Sequence, residues 1–222
     1  MNYVIVDFEM NPLAEEYKEQ KLCCPREIIE IGAVILDESF LVLGEFKTLV
    51  KPQYNSCILK KFESLTGIST QMVAGAPVFD TAYEMFVNWC ESYGLDYEIH
   101  AWSENDYNQL VSEMKLKQYT NTEMLRPLEN WFNFQKEYIK KLGLDRIISL
   151  KKALDYAGIE FEGHMHDALC DSKNTAKLFA IVRDEERFKK VLKSVRDALM
   201  PKKLSNTLGE LFDFVSMVGQ MT

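Results

Sequence analysis

Four consecutive aromatic or β-branched residues, Tyr3-Val4-Ile5-Val6, run straight into Asp7-Phe8-Glu9. Such a run reads as a short strand buried on both faces. Two residues apart in an extended chain, the side chains of Asp7 and Glu9 point to the same side. Carboxylates crowded at the end of a buried strand repel one another, and a positive charge is needed to hold them. Hard divalent cations, Mg²⁺ and Mn²⁺ above all, take oxygen ligands of this kind. Asp-x-Glu by itself favours a blander reading, two solvated acids where a strand meets a loop, so the rest of the chain has to decide.

The residues that follow alternate between the two periodicities. Residues 10–26 read as a loop or short helix over the strand end, and Glu27–Leu36 and Phe40–Val50 as an antiparallel pair turning at Asp37-Glu38-Ser39. Leu59–Leu65 is a short helix stopped by Thr66-Gly67, and Pro77–Tyr93 a longer one closed by Gly94. Tyr97–Ala101 is a further strand, with helices predicted over 106–116, 131–142, 149–157 (credited with a Ser149 cap) and from Asp171 through Val182. Strands followed by helix, strand and helices imply an α/β fold, a mixed sheet covered by helices.

At 222 residues, 47% of them hydrophobic, this is enough for one sizeable domain, expected over 1–182. Residues 183–222 are expected to form a helical C-terminal extension packed on it. Its first part, 183–203, carries eight Lys or Arg against four acids, and its last has Leu208, Leu211, Phe212, Val215 and Val218 at helical spacing. Five cysteines, an odd number with one vicinal pair, suit a reducing cytoplasm better than a disulfide framework. A strand beginning at residue 3 leaves no room for a signal peptide, and no apolar run approaches membrane-spanning length. A net charge of −8 argues against gripping long duplex by bulk electrostatics, but not against a deep cation-filled site holding a few nucleotides.

Acids recur at element ends. Asp106 follows the strand ending at Ala101, and Asp171 lies in the helix after Gly163. In open α/β sheets, sites form beyond the carboxyl ends of strands, so Asp7, Glu9 and Asp106 can meet there. His166 and Asp171 are five residues apart, about 140° around a helix, so His166 belongs to a loop folding back over the face that Asp171 presents. Four acids and one histidine suit phosphoryl chemistry with two divalent ions, the histidine taking a proton from the attacking water.

Three stretches, Asp7-Phe8-Glu9, Asp106 preceded by Trp102, and His166-x-x-x-x-Asp171, resemble the motifs of the DEDDh 3′→5′ exonucleases, which have a ribonuclease H-like fold. Glu27-Ile28-Ile29-Glu30-Ile31-Gly32-Ala33, Leu65-Thr66-Gly67-Ile68 and Asp171-Ser172-Lys173-Asn174-Thr175-Ala176 resemble the branch of enhanced-RNAi and histone-mRNA 3′-end exoribonucleases and their bacterial relatives. The resemblance implies a ribonuclease H-like mixed sheet flanked by helices on both faces. It implies Asp7, Glu9, Asp106 and Asp171 as ligands of two Mg²⁺ or Mn²⁺ ions, and His166 as general base. Phe8, Met10, Trp102 and Lys173 are the candidates for substrate contact, although alternation turns Phe8 toward the core. Many relatives have Gly after the tryptophan, where this chain has Ser103.

The implied reaction releases nucleoside 5′-monophosphates from single-stranded 3′ ends, RNA in preference to DNA, by a protein expected to be monomeric. Two alternatives stay open, a proofreading-type DNA exonuclease and a catalytically silent binding module. His164 is expected on the surface, His100 as structural, Asp167 as solvated, Trp131 as core, and Cys23-Cys24 as ordinary thiols.

Overall fold

The computed structural model describes residues 1–199; the amphipathic stretch expected over 205–220 lies outside them. Five strands form one mixed sheet: β1 (Asn2–Pro12), β2 (Arg26–Leu36), β3 (Val42–Leu49), β4 (Tyr97–Ala101) and β5 (Trp131–Asn133), in the order β3-β2-β1-β4-β5. β2 runs antiparallel to both β1 and β3, while β4 and β5 run parallel to β1. The helices are α1 (Lys18–Cys23), α2 (Lys60–Thr66), α3 (Thr70–Val73), α4 (Phe79–Glu91), α5 (Glu104–Leu116), α6 (Phe134–Leu142), α7 (Leu150–Ala157), α8 (Ala168–Arg183) and α9 (Glu185–Leu199), with a 3₁₀ segment at Thr122–Asn130.

Alternation along β1 sorts its side chains between two cores. Val4, Val6 and Phe8 join Phe79, Tyr83 and Phe86 of α4 on one face. Ile5 joins Phe134, Tyr138, Leu154, Leu178 and Phe179 on the other, where Val191 and Val195 of α9 are also buried. Helices thus cover both faces of the sheet.

Two elements depart from expectation. β1 does not stop at Val6: β2 pairs with it as far as Pro12, so Asp7 and Glu9 lie within a strand rather than after it. Residues 131–133 are a strand, not the start of a helix, because Ile99, His100 and Ala101 leave an open edge that Trp131, Phe132 and Asn133 fill. Three residues are too few for periodicity to separate the two states, and the neighbouring strand decides.

Buried polar groups pin the connecting segments. Glu27 is fully buried; its carboxylate accepts from the backbone N–H groups of Gln53, Tyr54 and Asn55 and lies 3.2 Å from Lys117 Nζ. The Asn11 amide donates to the Cys57 carbonyl and accepts from Leu59 N–H. Together they hold α2 against the end of β1. His100 is buried between Phe132 and Phe179, and burial lowers its imidazole to about 3. Its 3.2 Å contact with Glu98 is therefore a hydrogen bond of a neutral ring, not an ion pair.

Candidate active site

The site exists because β1 is longer than β4. Their parallel pairing ends at Val6–Ala101, while β1 continues against β2. Past that point the chain turns through Trp102 to Ser103, whose hydroxyl caps α5 by accepting from Asn105 N–H. Asp106, in the first turn of α5, is buried and accepts from the Phe8 N–H at 3.2 Å, on the stretch of β1 that β4 no longer covers.

Asp7 and Glu9 share the face of β1 that carries Ile5, toward α8. Gly32 is the β2 residue opposite Asp7. A Cβ there would lie 2.2 Å from Ala168 C and from Leu169 N, so only glycine lets the start of α8 come down onto the sheet. The Ser172 hydroxyl then donates to the Gly32 carbonyl at 2.8 Å, and Ala168 N–H to Glu30 Oε2 at 2.9 Å. Asp171 is thereby turned toward Glu9. His166 precedes the helix in the left-handed region, φ 66°, and its N–H donates to Asp171 Oδ2 at 3.2 Å.

Ligand atoms of Glu9, His166 and Asp171 all lie within 4.8 Å of one another. Asp7 and Asp106 line the same cleft of about 430 Å³, with Met10, Trp102, Phe62 and Leu65. Burial, then the charges of Asp106, Asp171 and Glu9, push the Asp7 carboxyl well above the usual range. Burial, then Asp171, pushes Glu9 to about 8; burial raises Asp106 to about 7, against the Phe8 N–H, and Asp171 to about 6. Burial raises all four carboxyls, and the neighbouring acids raise Asp7 and Glu9 further, while hard oxygen donors with one imidazole are the donor set for a divalent cation of the Mg²⁺ or Mn²⁺ kind. The residues fit such an ion.

That crowding has a sign that can be measured. In the metal-free fold these groups hold protons that the unfolded chain, with carboxyls near 4, has released, so their contribution to stability falls as pH rises from about 4 to 8. A divalent cation displaces those protons and binds more tightly as pH rises. Mn²⁺ at a hundredfold excess over its Kd at pH 6 is expected to stabilise by about 2.7 kcal/mol there, roughly 5–10 °C, and by more at pH 8 at the same concentration, where Kd is lower. Calorimetry at the two pH values checks it; an equal gain would mean the carboxyls are not linked to the ion.

Some candidates sit elsewhere than expected. The Phe8 ring is 4% exposed and packs on Trp131 at 6.1 Å between centroids, so only its backbone faces the cleft. Lys173, two residues from Asp171 and so about 200° around the helix, pairs with Glu45 at 2.6 Å and lines a different cavity. Asp167 is not simply solvated: it caps α8 by accepting from Cys170 N–H and pairs with Lys47. Trp102 is 8% exposed against Phe134 and Tyr138, with one edge on the cleft, and Met10 lines it partly buried. His164 is exposed and His100 is far inside. The sequence reading missed Arg26, Phe62 and Leu65 in the cleft wall and gave Glu30 no role. Arg26 and Glu30 lie on β2 on either side of the point where it steps by one residue against β1, opposite Glu9 and Met10, and nothing in a single sequence marks where that occurs.

Comparison with known proteins places the chain. The profile of the exonuclease family RNase_T matches residues 4–179. ERI1 exoribonuclease 2 of Danio rerio is 31% identical over 196 residues, covering 79% of this chain and 34% of that protein. The 3′-5′ exoribonuclease 1 of Rattus norvegicus is 26% identical, over 78% of this chain and 50% of its own. The chain therefore spans about a third to a half of these curated relatives. Among solved structures, the nuclease domain of 3′hExo, a DEDDh family member, bound to rAMP, superposes with a TM-score of 0.72 at 24% identity, over 82% of this chain and 92% of that one.

Proposed function

The chain belongs to the RNase_T exonuclease family, and from that premise we propose that it is a 3′→5′ exonuclease trimming single-stranded 3′ ends, RNA in preference to DNA, to nucleoside 5′-monophosphates. Enzymes of this family depend on divalent metal. The observation that carries the reading is the convergence of Glu9, His166 and Asp171 within 4.8 Å, beside Asp7 and Asp106, at the point where β1 outruns β4. The preference for RNA is supported by the relatives' description as exoribonucleases.

Asp7, Glu9, Asp106 and Asp171 would hold two Mg²⁺ or Mn²⁺ ions. Such a pair, when bound, lowers the pKa of a water and neutralises charge on the attacking and leaving oxygens. The protein does the rest. The exposed His166 imidazole, oriented by its own backbone N–H on Asp171, takes the proton of the attacking water. Phe62, Leu65, Met10 and the edge of Trp102 give the cleft apolar walls against which the terminal nucleoside packs. Arg26 supplies a positive charge beside Asp106, offsetting part of the acidity that a phosphate would otherwise meet. The unpaired state of all five cysteines supports a reducing, cytoplasmic setting, and no helix among the described residues is long and apolar enough to cross a membrane.

The test is a time course on a 5′-labelled single-stranded RNA and its DNA equivalent with Mg²⁺, Mn²⁺ or EDTA. A one-nucleotide ladder from the 3′ end, faster on RNA and stopped by EDTA, is expected. Faster digestion of DNA would replace the substrate, and silence with every metal would replace the enzyme by a binding module.

A further inference from the structure

His166 is exposed and sits in a strained left-handed turn, so the cleft alone does not hold it in place. What fixes the turn lies behind it, on the edge strand β3. Lys47 is the register partner of Gly32, on the face that α8 covers. Its Nζ lies 3.2 Å from Glu30 Oε1 and donates to Asp167 Oδ2. The second oxygen of each acid takes a backbone donor from the first turn of α8: Glu30 Oε2 accepts from Ala168 N–H at 2.9 Å and Asp167 Oδ1 from Cys170 N–H at 3.0 Å. One ammonium thus bridges two carboxylates, and each carboxylate grips the helix start with its free oxygen.

We propose that Lys47 is a positioning residue for the reaction, the cation that clamps the first turn of α8 to the sheet and so holds His166 and Asp171 over Glu9. The inference rests on the exonuclease reading and deepens it. A positive charge is needed, because Glu30 stands directly opposite Glu9 in the β1–β2 pairing and its side chain is 3% exposed. Without Lys47, Glu30 and Asp167 would be neighbouring acids with no cation between them, set against a cleft already crowded with carboxylates. Such charges separate when they can, and the movable partner is the turn bearing His166 and Asp167, since Glu30 is built into a central strand. Lys47 itself is 38% exposed, so its side chain contributes little packing to either core and acts chiefly through its charge.

The test compares Lys47→Met, which keeps the stem and removes the charge, with Lys47→Arg, which keeps the charge. In the full-length protein Lys47→Met is expected to lower kcat about 10–100-fold with KM changed by less than about threefold, the usual loss when a group supporting metal-site residues is removed. Lys47→Arg is expected to recover most of it. Amide hydrogen exchange, measured without metal or RNA, gives a readout that activity does not touch: Ala168 and Cys170 should lose protection in Lys47→Met while Ile31 and Val34 in β2 keep theirs. Unchanged exchange at Ala168 and Cys170, or protection lost evenly across β2 and α8, would overturn the clamp. So would a Lys47→Arg protein behaving like Lys47→Met. Were the parent inactive on every nucleic acid, a Lys47-dependent Ala168 amide would keep the clamp while the exonuclease reading fell.

Discussion

Asp7→Asn is expected to melt higher than the parent in EDTA and yet to cleave RNA about a thousandfold or more slowly in Mn²⁺. The two effects have one cause. Burial, then Asp106, Asp171 and Glu9, push Asp7 well above the usual carboxylate range, so the metal-free protein must take up a proton there on folding, a cost that grows with pH and that a neutral amide of the same shape avoids. Removing it should raise the melting temperature near pH 8, and by more there than at pH 5, where the unfolded chain is closer to holding the proton as well. On the proposed reading the same substitution would also remove a metal ligand, and bound cations of this kind contribute several kcal/mol of charge stabilisation in a transition state, each 1.36 kcal/mol being about a tenfold change in rate. Calorimetry in EDTA and the labelled-RNA time course check the two halves. A lower melting temperature would mean that Asp7 is already neutralised within the protein, and a parental rate would remove it from the reaction.

Gly32→Ala is the second large effect, and it acts from the sheet rather than from the cleft. A methyl at this position would sit 2.2 Å from two backbone atoms at the start of α8, and backbone cannot turn aside as the end of a side chain can. The helix must move away from β2. It would lengthen the Ser172–Gly32 and Ala168–Glu30 hydrogen bonds and draw Asp171 and His166 off Glu9. Overpacking of this kind costs about 1–3 kcal/mol. A displacement near 1 Å at a catalytic group costs about 10²-fold in rate, so activity should fall further than stability. Gly75→Ala is the control: nothing lies within 4 Å of its Cβ position and its φ is ordinary, so both measurements should match the parent. A Gly32→Ala protein with parental activity would show that α8 tolerates the shift.

Much of the molecule was legible in the residues. The run Glu27–Leu36 alternates poorly and is apolar apart from Glu27, Glu30 and Gly32, as suits a strand covered on both faces, and it is the antiparallel partner of β1. Ser149 and Gly158 bracket α7 as a cap and a left-handed stop. The failures share a cause. The length of β1 and the existence of β5 depend on whether a neighbouring edge is open, and Asp167 and Lys173 take their positions from Lys47 and Glu45, more than a hundred residues away. Such partners leave no trace in local spacing.

The chemistry of the cleft is therefore a property of the chain's composition at a few points, and its geometry is not. Carboxylates at 7, 9, 106 and 171 with an imidazole at 166 are a donor set that suits a hard cation and a proton transfer wherever they are brought together. That Asp7, Glu9 and Asp171 face one another follows only from β1 outrunning β4 and from α8 resting on Gly32. A side chain's direction is local, set by alternation along a strand or the pitch of a helix. Its distance to a group a hundred residues away is set by packing, which no short stretch of sequence contains.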